Sequence, residues 1–150
     1  GTSCGCPSGL SMHKTQDQTI AHEAKCYLIT CMDFRLIDDV VRFMDIEGYN
    51  NNYDQFILAG ASLGMTQNKF PHWRESLLDH MKIGKDLHSF REIMVIDHLD
   101  CGAYKKFYPD IKSEDDELYY DQQHMQVARD TLARKFPKLK FRGCIMDLNG

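Results

Sequence analysis

The chain has 150 residues and 17.4 kDa, with 43% hydrophobic and 27% charged residues, the make-up of one globular domain able to bury its own core. A formal charge of −4 and a pI near 5.9 argue against the basic face that nucleic-acid binders use. No apolar run approaches the roughly 18 residues of a membrane helix, and the start of the chain lacks a signal-peptide core.

The chain opens on GTSCGCPSG, where Cys4 and Cys6 form a lone Cys-x-Cys among glycine, proline and serine. Residues 1–24 therefore read as a partly flexible N-terminal arm, and residues 25–150 as a single α/β domain. Four short apolar runs read as strands: Lys25 to Asp33, Gln55 to Ala61, Glu92 to Leu99 and Phe141 to Leu148. Three of them are nearly continuous in hydrophobicity, as strands are when both faces of a parallel sheet are covered.

Helical patterns lie between the strands. Leu36, Val40, Phe43 and Met44 fall at helical spacing, and Gly48 suits the end of that helix. Trp73, Leu77 and Met81 repeat every fourth residue with Pro71 near the start. Met125, Ala128, Leu132 and Phe136 make a third stripe that Pro137 stops. These stripes are expected to be core, and Trp73 is given no functional role. Ser113 followed by Glu114, Asp115, Asp116 and Glu117 reads as a helix start with a solvated acidic face. Strand–helix alternation of this kind predicts a three-layer α/β fold with a mostly parallel central sheet between helices.

Cys26, Cys31 and Cys144 lie within strand-like runs and Cys101 follows one, unlike cysteines spread through the loops of a disulfide-stapled scaffold. A reducing compartment is expected: the cytoplasm, or an organelle interior if a targeting segment has been removed. Cys26 and Cys144 are expected to pack in the core.

Two segments carry chemistry. Cys31-Met32-Asp33-Phe34-Arg35 ends the first strand, and His98-Leu99-Asp100-Cys101-Gly102 ends the third. Sites in open α/β sheets form at the carboxyl ends of strands, so pairing these two strands would bring the segments together. If the chain stays extended, alternation puts Cys31, Asp33 and Arg35 on one side and Met32 and Phe34 on the other. Two thiols and one imidazole suit a zinc ion, and a catalytic zinc needs only three protein ligands. Asp97 and Asp100 flank His98 and are expected to face solvent, with orientation of the imidazole as the alternative. Tyr104 either lines the pocket or packs.

The pattern Cys-x-Asp-x-Arg followed by His-x-x-Cys-Gly resembles the signature of the β-class carbonic anhydrases, carried here by Cys31, Asp33, Arg35, His98, Cys101 and Gly102. Ala59-Gly60 resembles that family's Ala-Gly turn, and Gly143 with Asp147-Leu148 its final strand. Met32 and Phe34 are bulkier than the residues usual at these places, and Ile57-Leu58 stand where Arg-Asn is common.

The resemblance implies Zn²⁺ held by Cys31, His98 and Cys101, with Asp33 and Arg35 as the catalytic pair. It implies reversible hydration of CO2 to bicarbonate and a proton by a zinc-bound hydroxide, improving toward alkaline pH. Asp33 would accept the hydroxide's hydrogen bond, or ligate the metal in a closed form, and Arg35 would keep Asp33 ionised. Alternatives are a zinc hydrolase of carbonyl sulfide or carbon disulfide, and a non-catalytic homologue that binds zinc or bicarbonate. A homodimer or higher homo-oligomer is implied, with no nucleic-acid or membrane partner. None of His13, His22, His72, His80, His88 and His124 has a spacing that marks it as a proton shuttle, and most are expected at the surface.

Overall fold

Strand β1, Cys26–Cys31, is buried at all six positions, because CYLITC offers apolar or small side chains to both faces of the sheet. It lies between β2, Tyr53–Leu58, and β3, Glu92–His98, and β4, Lys140–Met146, closes the sheet beyond β3. The order is β2-β1-β3-β4 and every pairing is parallel. These facts come from a computed structural model, which describes residues 9–16 and 21–148. Cys4 and Cys6 lie outside the described residues.

Helices cover the sheet and make the expected three-layer α/β fold. After β1 the chain makes a 3₁₀ turn over Phe34–Leu36 and then α1, Ile37–Ile46; Gly48 follows at φ +89°. Helix α2, Ser62–Thr66, and α3, Pro71–His88, join β2 to β3. Pro71 fills the first position of α3, where its missing N–H costs nothing. Helix α4, Gly102–Phe107, and α5, Glu114–Lys135, join β3 to β4. The Ser113 side chain caps α5 by accepting the Asp116 N–H at 3.1 Å. Acids in its first turn and Arg134 and Lys135 in its last both oppose the helix dipole. Met44 of α1, Leu77 and Met81 of α3, and Ala128 and Leu132 of α5 join Leu28, Ile29, Val95 and Ile96 in one buried core.

Some boundaries differ from expectation. Strand β1 stops at Cys31 because Asp33 turns to cap the 3₁₀ turn that follows. Strand β2 starts at Tyr53 and stops at Leu58; Ala59 to Ala61 form a turn, with Gly60 at φ +77° and Ala61 at φ +46°. Helices α2 and α4 are too short to show a periodic pattern in the sequence. The acidic segment is not wholly solvated, since Glu117 is buried.

Candidate metal centre

Strands β1 and β3 are neighbours, so their carboxyl ends bring Cys31 and His98 to one edge of the sheet. Cys101, at the N-cap of α4, completes the group. The ligand atoms of Cys31, His98 and Cys101 all lie within 4.8 Å of one another, and all three residues are buried. Among the described residues this is the one His/Cys/Asp/Glu group so arranged. It is positioned for a metal ion.

His98 gives the closest test of fit. Its Nδ1 lies 2.8 Å from the Leu99 carbonyl oxygen, a bond that places a proton on Nδ1 and leaves the lone pair on Nε2. That Nε2 is buried and has no hydrogen-bond partner, and the side chain is 0% exposed. An unpartnered polar atom in the interior is costly, and a metal ion beside two thiols would relieve it. The donors therefore fit a soft cation that accepts sulfur and nitrogen.

The thiols are already unequal without a cation. A hydrogen bond from Cys101 is the largest influence pulling the Cys31 thiol down to about 4; burial opposes it, and the Gly60 N–H assists. The Gly60 nitrogen lies 3.4 Å from Cys31 Sγ. The same bond to Cys31, with burial, pushes the Cys101 thiol up. The Cys101 thiol thus donates its proton toward the Cys31 sulfur, and an ion that displaced that proton would hold both as thiolates.

Asp33 and Arg35 do come together, but not by continued extension. The chain turns at Asp33, whose Oδ1 accepts the Arg35 backbone N–H at 2.9 Å. Arg35 then folds back: Nε donates to Oδ1 at 3.0 Å and Nη2 to Oδ2 at 2.7 Å. This two-pronged bond to Arg35 holds the Asp33 carboxyl down at about 2. Arg35 also donates from Nη1 to Asp100 Oδ2 at 3.0 Å and from Nη2 to the Asp100 carbonyl at 2.9 Å. Asp100 sits at φ +58°. Its backbone N–H is taken by buried Glu117 at 2.7 Å, and its carboxylate also pairs with Lys105.

Beside the cluster opens a cavity of about 1090 Å³ reached by Cys31, Asp33, Arg35 and Cys101. Met32, Phe34, Phe70, Trp73 and Phe107 give it apolar walls, and Lys69 and Lys106 stand on its lining. Met32 and Phe34 thus face the same space as the polar residues. Trp73, read from sequence as core only, is half-buried, stacks on Phe70 at 4.8 Å and lines this cavity.

Asp97 corrects a sequence expectation. It is 1% exposed, not solvent-facing, and it does not orient His98, whose Nδ1 goes to Leu99. Instead it accepts the Ser62 N–H at 3.0 Å, the Ser62 hydroxyl at 2.5 Å and the Tyr104 hydroxyl at 3.1 Å. Tyr104 is buried and packs away from the cavity. The signal for Asp97 was available: a carboxylate inside an otherwise unbroken apolar run has to be buried with partners. His124 is not among the surface histidines. It is half-buried, with Nδ1 2.6 Å from Thr66 Oγ1 and Nε2 2.5 Å from the Tyr108 hydroxyl. Cys26 is buried as expected, and Cys144 is half-buried.

The family model described as "Putative carbonic anhydrase" matches residues 21–146. A protein of Rickettsia bellii (strain RML369-C), named only as uncharacterized, is 36% identical over 131 residues, covering 86% of this chain and 80% of its own length. One of Rickettsia conorii (strain ATCC VR-613 / Malish 7), also named as uncharacterized, is 35% identical over 131 residues, covering 86% and 70%. Among solved structures, carbonic anhydrase from Streptococcus mutans superposes with a TM-score of 0.58 at 14% identity, over 91% of this chain and 84% of that one. β-Carbonic anhydrase isoform I from Trichomonas vaginalis gives 0.53 at 16% identity, again over 91% and 84%. An apo carbon disulfide hydrolase gives 0.50 at 17% identity, over 87% and 77%. The parallel sheet carrying Cys31 and His98 on adjacent strand ends is the β-carbonic-anhydrase fold, and the chain belongs to this carbonic anhydrase family.

Proposed function

We propose that this chain is a zinc enzyme that hydrates carbon dioxide reversibly to bicarbonate and a proton. The observation that carries the reading is the buried group of Cys31, His98 and Cys101, with the unpartnered Nε2 of His98 among two sulfurs. A zinc ion held by these three residues would supply Lewis acidity, bringing the pKa of water down toward neutrality.

The chain's own residues do the rest. Cys31 and Cys101 enter as thiolates and His98 as neutral imidazole, so two negative charges balance a divalent cation. Leu99 fixes the imidazole tautomer that leaves Nε2 free. Asp33, with Oδ2 at 3.7 Å from His98 Nε2, accepts a hydrogen bond from the attacking water and orients its lone pair. Arg35 keeps that carboxylate ionised and aimed. The apolar walls from Met32, Phe34 and Phe107 suit a small nonpolar gas, and the Arg35 guanidinium on the same lining would pair with an anionic product.

The same walls favour a second reading, a related linear electrophile such as carbonyl sulfide or carbon disulfide. Met32 and Phe34 are 67% and 80% exposed at the cavity, with Ile37 and Val41 exposed on the adjoining helix. This apolar margin also supports a homodimer or higher homo-oligomer that covers it, which sedimentation velocity would test.

Stopped-flow measurement of CO2 hydration by zinc-loaded protein, run beside sulfide release from the two sulfur substrates, separates the readings. The expected result is hydration that rises with pH and is abolished by a chelator. Sulfide release without CO2 hydration would move the assignment to the second reading. Zinc binding with neither activity would leave a non-catalytic member that binds zinc or bicarbonate.

A further inference from the structure

We infer that the buried Asp97 carboxylate is a positioning residue for the metal centre, joined with Ser62 and Tyr104 in a node that holds all three ligand-bearing segments in register. The inference rests on the zinc reading above for its cation, and on the geometry of this chain for the rest.

Asp97 immediately precedes His98 in β3, so its side chain anchors the backbone from which the imidazole leaves. Its Oδ1 accepts the backbone N–H of Ser62 at 3.0 Å, and its Oδ2 accepts the Ser62 hydroxyl at 2.5 Å. Ser62 lies two residues beyond Gly60, whose N–H points at Cys31 Sγ from 3.4 Å. The Ala61 between them is held at φ +46°, an uncommon conformation for a residue with a Cβ that has to be maintained by its surroundings. The two bonds from Ser62 to Asp97 hold its C-terminal side, beside Ala61's own backbone bonds to Leu58 and Met65.

The third arm reaches the remaining ligand. Tyr104 donates to Asp97 Oδ2 at 3.1 Å and lies 2.6 Å from the Ser62 hydroxyl. Tyr104 stands three residues after Cys101, one turn into the helix that Cys101 caps. A single carboxylate therefore ties down the neighbour of His98, the turn that donates to Cys31 and the first turn behind Cys101. Ser62 and Asp97 are 0% and 1% exposed, and Tyr104 is 2% exposed, so water does not compete for these bonds. None of the three touches the proposed ion. Their effect is on where its ligands stand before it arrives, the kind of support that sets affinity and geometry in metal sites.

The test uses the full chain and two variants, Tyr104→Phe and Asp97→Asn, with Ser62→Ala as a third. Zinc affinity is measured by competition with a chromophoric chelator. Cobalt(II)-loaded protein is examined for its thiolate-to-metal and ligand-field absorption, and far-UV circular dichroism checks the fold. The expected result is a loss of about 10- to 100-fold in zinc affinity in Tyr104→Phe and Asp97→Asn. The cobalt bands should shift while the circular dichroism stays unchanged. A merely structural node would lower the melting temperature and leave the cobalt spectrum as it is. If Asp97→Asn does not fold, Tyr104→Phe and Ser62→Ala carry the test, because each removes only a hydroxyl. Wild-type affinity and an unshifted cobalt spectrum in the folded variants would overturn the inference and leave the zinc reading standing. A wild-type chain that binds no zinc would overturn both.

Discussion

Asp33 Oδ2 stands 3.7 Å from the unpartnered Nε2 of His98 and 2.7 Å from Arg35 Nη2. Arg35 holds the carboxylate through paired hydrogen bonds from Nε and Nη2. Asp33→Asn keeps the shape and removes the charge. It is expected to retain bound zinc and to lose about 10- to 100-fold or more in CO2 hydration. Zinc content and stopped-flow rates on the same preparation check this. Undiminished turnover in the variant would remove Asp33 from the mechanism.

Asp121 gives a pH-dependent prediction. Burial first, and then the neighbouring Asp97 carboxylate, push its pKa up to about 8, and one of its oxygens is buried without a partner. The folded chain then holds a proton on Asp121 that the unfolded chain has already released. This group's contribution is complete below about pH 4 and is lost as pH rises toward about 8. Asp121→Asn should therefore gain stability relative to wild type as pH rises from 5 to 9. Urea unfolding across that range checks the slope; a difference between the two proteins that does not vary with pH would contradict it.

Gly64 is fixed by close packing. A Cβ there would run into the Ala59 carbonyl oxygen and lie 2.9 Å from Leu58 side-chain atoms. Gly64→Ala should cost on the order of 1–3 kcal/mol, since backbone rather than a flexible side chain has to yield. A thermal melt lower by several degrees would agree with this. A wild-type melt would show that α2 can shift on β2 without penalty.

Much of this was legible in the sequence, for identifiable reasons. Strands β1 and β3 are covered on both faces, so they read as unbroken apolar runs, and each chemical motif begins where its run ends. Helix α3 announced itself through Pro71 and the spacing of Trp73, Leu77 and Met81, and α5 through Ser113 and Pro137. What was missed depends on contacts between distant residues or on elements too short to show a period. Helix α2 has five residues and α4 six. Ser62 meets Asp97 and Tyr104 across 35 and 42 positions of sequence, which no local pattern encodes. Arg35 reaches Asp33 through a 3₁₀ turn instead of an extended segment, so alternation named the right pair by the wrong geometry. Glu117 looked like one acid in a solvated row, and only the approach of the Asp100 backbone gives it a buried role.

Cys101→Ser tests the ligand set. Serine's hydroxyl stays protonated where the thiol ionises, so the variant should lose most of its zinc while keeping the fold. Metal analysis after dialysis against a weak chelator reads this directly. Full zinc occupancy in the variant would place the ion elsewhere.

The zinc reading requires a cation held by two sulfurs and one imidazole nitrogen at the ends of β1 and β3. Zinc K-edge absorption on protein purified without chelator and supplemented with zinc tests it most directly. One ion per chain is expected, with two sulfur neighbours at about 2.3 Å and a nitrogen at about 2.0–2.1 Å. A protein that takes up no zinc, or a shell without sulfur, would contradict it.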